Sequence, residues 1–161
     1  MNRFIRTLEK IQLIVGGIFL TIFFAAILIQ IVTRKIGVSV IWTEELANYS
    51  FIWAIFMGAA VMVNRKEHFT FDLLQKKLSG KKRVILNLVI DSILVAFNIA
   101  IFIYSLQVVQ RFWNYNWTAL PSMKMGYVWI SLPIMAGTMI IYLISHLIEH
   151  VKTLKAREVS E

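Results

Sequence analysis

The chain alternates long apolar runs with short polar intervals that hold most of its charge. Four runs approach or exceed the roughly 20 residues that an α-helix needs to cross about 30 Å of hydrocarbon. The first, Ile11 to Val32, is interrupted by Gly16, Gly17, Thr21 and Gln30. The second extends from Leu46 to Val63, the third from Val84 to Val109 and the fourth from Tyr127 to Ile148. This pattern predicts an all-α membrane protein, residues 1–161 forming one four-helix transmembrane domain.

The first run also has a second reading, because Arg3, Arg6 and Lys10 precede it as they would in a signal peptide. Signal h-regions span about 7–15 residues and end at a small-x-small cleavage site. Here the run is longer and closes with Gln30, Thr33, Arg34 and Lys35. A retained membrane helix is expected.

Composition agrees. Of the 161 residues 58% are hydrophobic, above the roughly 45–50% of soluble domains. Lipid-facing side chains account for the excess. The net charge of +8 does not form one basic patch, so nucleic acid is not an expected partner. The basic residues lie between the apolar runs and set a topology. Thirteen of the 17 fall in the N-terminal segment, the middle loop (residues 64–83) and the C-terminal tail. Arg34, Lys35, Arg111 and Lys124 make up the rest. The positive-inside rule then puts both termini and the middle loop in the cytoplasm. There is no cysteine, which excludes disulfides, thiolate metal sites and thiol catalysis.

Within the middle loop, Phe69, Phe71, Leu73, Leu74 and Leu78 mix with Asp72, Lys76 and Lys77. The segment from Glu67 to Leu78 reads either as a short amphipathic helix in the headgroup plane or as a plain basic loop. On the opposite side Trp113, Tyr115, Trp117, Tyr127 and Trp129 suit an interfacial aromatic belt.

Few residues offer chemistry. Asp91 is the one acid clearly inside a run, and intramembrane acids often serve ion or proton paths. At 100° per residue, however, Asn87, Asp91, Asn98 and Ser105 lie within about 40° of one another. That stripe is expected to face other helices and to hold them by hydrogen bonds of roughly 0.6–2 kcal/mol each. His146, Glu149 and His150 match the H-x-x-E-H pattern of inverted zinc peptidases. A catalytic zinc also needs a third protein ligand and an open pocket, and polar residues at a helix C-terminus are favourable without a metal. No cofactor and no enzymatic activity are expected. Gly17, Thr21 and Ala25 line one face of the first helix, and Ala54 with Gly58 one face of the second. This small-x-x-x-small spacing predicts close helix packing, within the chain or against a partner. Pro133 marks either a kink or the point where a lead-in loop becomes helix.

Glu44 and Glu45 follow Trp42 and Thr43 at the start of the second helix. Thr43 is a candidate N-cap, and first-turn carboxylates favour the helix dipole. Two acids beside a tryptophan at a membrane surface also suit docking of another protein, for instance through its arginines.

The block Arg34-x-x-Gly37, Trp42-Thr43-Glu44-Glu45-Leu46, Tyr49, Trp53, Phe56, Gly58-Ala59-Ala60 and His68 resembles the small, DctQ-type membrane subunit of TRAP transporters, the tripartite ATP-independent periplasmic transporters. Leu120-Pro121 and Leu132-Pro133 sit where that family has Leu-Pro pairs, whereas Lys124 departs from a region that is often apolar there. The resemblance implies a bacterial inner-membrane protein with two partners, a large multi-span transport subunit and a periplasmic substrate-binding protein. It further implies sodium-driven uptake of an organic acid, of the C4-dicarboxylate or sialic acid type. On this resemblance Arg34, Trp42, Glu44, Glu45, Trp53 and Gly58 are the candidate partner-binding residues.

The residues suit a scaffold. An anion carrier is expected to have cations or broken helices near the bilayer midplane. No Lys or Arg lies inside any of the four runs. The alternative is an independent small transporter or channel with Asp91 as its coupling acid.

Overall fold

The computed structural model describes residues 3–65 and 80–158. They form five helices: α1 (Arg3–Lys35), α2 (Trp42–Arg65), α3 (Gly80–Phe112), a single-turn α4 (Gly126–Trp129) and α5 (Ser131–Glu158). No strand occurs among the described residues. Four helical stretches are long and apolar enough to cross a membrane, α4 and α5 counting as one. The segment from Glu67 to Leu78, read above as interfacial helix or loop, lies outside the described residues.

The helices run past the apolar stretches that predict them. α1 has 33 residues, so its length is about 50 Å against roughly 30 Å of hydrocarbon. Its C-terminus is closed by Gly37, whose φ of 79° is the left-handed conformation that a side chain disfavours. The Gly37 N–H donates to the Arg34 carbonyl at 3.2 Å and the Val38 N–H to that of Thr33 at 2.9 Å. These two bonds form a Schellman cap. It turns the chain after α1 so that α2 can run back alongside.

α1 packs along α2, α2 against α5, and α5 against α3. α5 is therefore central and α1 peripheral. Within the most apolar 18 residues of each, 44% are buried for the α4–α5 stretch and 6% for α1. Both described chain ends lie at one end of the bundle, here the termini end. The 36–41 turn and the 113–125 loop lie at the other, the loop end.

Lipid is as apolar as leucine, so dispersion and polar contacts, more than water exclusion, hold the helices together. Gly16 supplies the close approach of α1 to α2. A Cβ built there would lie 3.3 Å from the Met57 Cβ and 3.7 Å from the Ala54 carbonyl. Nearer the termini end, Ile5, Ala60, Val63, Met135, Met139, Tyr142 and Leu143 form the core cluster.

Polar pairs reinforce it. The Tyr142 hydroxyl donates to Gln12 Oε1 at 2.5 Å, and Gln12 Nε2 donates to Thr138 Oγ1 at 2.8 Å. Together these tie α1 to α5. At the termini end Glu9 accepts from Asn64 Nδ2 and Arg65 Nε, both at 2.8 Å. Pro133 sits in the first turn of α5, where its missing N–H breaks no helical bond. It is the point where a lead-in segment becomes helix.

Candidate functional site

Most of the predicted partner-binding residues gather at the loop end, and the structure divides the set in two. One group is engaged within the chain. Glu45, in the first turn of α2, accepts the Thr118 N–H at Oε1 (2.8 Å) and the Ala119 N–H at Oε2 (2.9 Å). Its carboxylate thus holds the 113–125 loop by two charge-assisted bonds. Trp53 stacks on Phe19 of α1 with ring centroids 5.0 Å apart, and its Nε1–H donates to the Tyr127 carbonyl at 2.9 Å.

The loop so held is ordered by its own contacts. The Trp117 N–H donates to the Met123 carbonyl at 2.9 Å, and the Met125 N–H to that of Tyr115 at 2.7 Å. Trp117 is buried, packs on Tyr49 at 4.5 Å and donates its Nε1–H to the Lys124 carbonyl at 3.2 Å. It is a packing residue, whereas Trp113, Tyr115 and Tyr127 keep the exposure expected of a belt. Gly126 makes the fold-back possible, since a Cβ there would lie 2.5 Å from the Trp113 ring.

The second group is open. Arg34, Trp42, Glu44 and Gly58 are exposed. Arg34 and Glu44 line one groove of about 440 Å³ between the end of α1 and the start of α2, together with Gln30, Thr33 and the 37–41 turn. Trp42 lines a neighbouring cleft of about 570 Å³ that shares Ser39, Val40 and Ile41 and reaches Thr118 and Ala119. The two give the loop end a polar and aromatic relief with one exposed arginine and one exposed carboxylate. Gly58 lies away from it, in the middle of α2. A Cβ at Gly58 or at Gly17 would meet nothing within 4 Å. Gly17, Thr21 and Ala25 are exposed as well, so the small-residue face of α1 does not make the α1–α2 contact. Gly16, one position earlier, makes it.

Thr43 is not the N-cap that its position suggests. It is fully buried inside the first turn, and its hydroxyl donates backward to the Val40 carbonyl at 2.7 Å. A donor turned that way is not accepting from the orphan N–H groups of the helix.

The polar stripe of α3 faces the bundle, with Asp91, Asn98 and Ser105 buried and Asn87 half-buried. The expected bonds between helices are partly replaced by bonds within α3. Asn98 Nδ2 donates to the Leu94 carbonyl at 2.8 Å and Ser105 Oγ to that of Phe102 at 2.6 Å. Asp91 does reach α5, with Oδ2 3.4 Å from His150 Nε2. Sequence reasoning missed this pair because it treated Asp91 and the H-x-x-E-H histidines as separate motifs. The only available signal was depth, both lying near the same end of their runs. Among the described residues no group of three His, Asp or Glu side chains is arranged to hold a metal ion.

The family model for the DctQ component of the tripartite ATP-independent periplasmic transporters matches residues 6–153. The chain belongs to the DctQ family. Two relatives of this DctQ chain are larger permeases. It is 31% identical over 81 residues to the sialic acid TRAP transporter permease protein SiaT of Haemophilus influenzae (strain 86-028NP), covering 50% of this chain and 13% of that protein. It is 24% identical over 148 residues to the isethionate TRAP transporter permease protein DctMQ of Oleidesulfovibrio alaskensis, covering 86% of this chain and 23% of that protein. The DctQ chain therefore spans less than a quarter of the length of either. With four helical stretches long and apolar enough to cross a membrane, it is a multi-pass membrane protein.

Proposed function

We propose that this chain is the non-transporting scaffold of a sodium-coupled, binding-protein-dependent importer of an organic acid, seated in the bacterial inner membrane with both termini in the cytoplasm. It braces a large multi-span transport subunit and does no chemistry of its own. The observation that carries this reading is the poverty of the membrane-buried residues. None of the four apolar runs contains Lys or Arg, and each crosses as a continuous helix apart from the step between α4 and α5 at the loop end. An anion needs a positive charge or helix ends at mid-depth, and neither is available.

The two larger relatives support a large partner, since in each a stretch like this chain is part of a much longer permease. Their names support organic acids as the class of cargo, sialic acid in one and isethionate in the other. The thirteen-to-four split of basic residues supports the orientation. In that orientation the Arg34, Trp42 and Glu44 relief faces the periplasm and offers part of a surface for the substrate-binding protein.

The test is co-purification with the large subunit of its own TRAP system, followed by uptake in proteoliposomes. Uptake that requires both subunits, the binding protein and a sodium gradient supports the reading. Failure of the two membrane subunits to co-purify overturns it.

A further inference from the structure

α2 and α3 flank α5 and leave a cleft of about 260 Å³ between them. Ile55 and Phe56 of α2 and Phe97 and Ile101 of α3 wall it, and Met135 and Met139 of α5 form its base. Ile55 and Phe97 are 47% and 62% exposed, so the walls are partly bare. Asn98 also lines the cleft, although it is only 4% exposed. Its Nδ2 is used by the Leu94 carbonyl, while its Oδ1 is buried and accepts no hydrogen bond.

Depth makes this acceptor unusual. Asn98 lies within half a turn of the midpoint of the Val84–Val109 run. Asp91 Oδ2, also without a hydrogen bond, has His150 3.4 Å away. Trp129 Nε1, likewise without one, is at the loop end of the bundle, away from mid-depth. The hydrocarbon at mid-depth supplies no donor, and an unmet acceptor there costs several kcal/mol. A lipid tail filling the cleft brings no donor.

We infer that this cleft is the seat of a transmembrane helix of the large subunit, which presents a hydrogen-bond donor (Ser, Thr, Asn or Gln) to Asn98 at the centre of the bilayer. The partner helix lies against Ile55 and Phe97 and reaches the amide after a small turn of its soft terminal torsion. The inference rests on the scaffold reading above, and on relatives in which a stretch like this one makes up only 13% and 23% of the polypeptide.

The experiment places the photocrosslinker p-benzoylphenylalanine at Ile55 or Phe97 and expresses the chain with the large subunit of its own system. Both positions are expected to give an adduct with one and the same membrane segment of that subunit. Asn98→Leu is expected to weaken retention of the large subunit in detergent by roughly three- to tenfold. It leaves the melting temperature of the chain on its own unchanged or raised, because there it removes an unmet acceptor. Adducts with lipid alone, or full retention by Asn98→Leu, overturn the inference and leave the scaffold role standing. If the wild-type chain retains no large subunit, the scaffold role fails and this inference falls with it.

Discussion

Glu45 accepts the backbone N–H of Thr118 at 2.8 Å, across 73 residues of sequence, and shares its second oxygen with Ala119 at 2.9 Å. Glu44, its neighbour, is exposed and lines the groove with Arg34. Two adjacent first-turn acids of α2 therefore do different work, one holding a loop and the other facing outward.

Glu45→Gln removes the charge and one of the two acceptors. Hydrogen bonds to charged groups contribute about 1.5–3 kcal/mol, so a lower melting temperature and faster proteolysis near Thr118 are expected. Glu44→Gln leaves both unchanged. Its expected effect is on binding-protein-dependent uptake, read as a higher apparent KM for the loaded binding protein.

The glycines at 16 and 17 separate in the same way. Gly16→Leu drives a side chain into Met57 and Ala54 and is expected to cost about 1–3 kcal/mol, as overpacking does. Gly17→Leu enters open space and leaves the stability of the isolated chain within about 0.5 kcal/mol, the usual range for surface changes. Thermal unfolding in detergent of the two variants checks the pair. Equal losses would show that α1 is rotated relative to the geometry described above.

Gln12 ties α1 to α5 through Tyr142 and Thr138. Gln12→Leu is expected to cost about 0.6 kcal/mol and at most about 1.7 kcal/mol, the average and the upper end for hydrogen bonds between membrane helices. A Gln12→Leu, Tyr142→Phe double-mutant cycle reads the coupling, and additive effects would deny the bond.

Asp91 pairs with His150 near the termini end, away from the middle of the third run. Asp91→Asn is expected to keep uptake by the assembled transporter within about twofold, less than 1 kcal/mol on the conversion of tenfold to about 1.4 kcal/mol. A loss of sodium dependence in that variant would return Asp91 to the role of coupling acid.

The membrane-competent helices were legible in the sequence because their signal is length and apolarity, which needs no knowledge of neighbours. Their overrun was not, because Arg3, Arg6, Glu9 and Lys10 interrupt the apolar residues ahead of the first run, yet the stretch is helical. Gly37 stands in the family-like block, but its use as a Schellman cap needs φ and the carbonyls of Thr33 and Arg34. Residues whose partners are remote were the least legible. Glu45 has its acceptor role filled by backbone groups on another loop, and no spacing rule links residues 45 and 118. Small-residue spacing located a glycine face on α1 but not its register, and a shift of one residue turns a helix face by about 100°. Gln12, inside the first run, was assigned no role from the sequence, although it links α1 to α5 through Thr138 and Tyr142.

The central claim is that this chain supports transport without carrying solute. Purified without companions and reconstituted in sodium-loaded or sodium-free vesicles, it is expected to give no uptake of sialic acid, isethionate or a C4-dicarboxylate above empty vesicles under any sodium gradient. Sodium-driven accumulation of any of these by the chain alone would contradict the account.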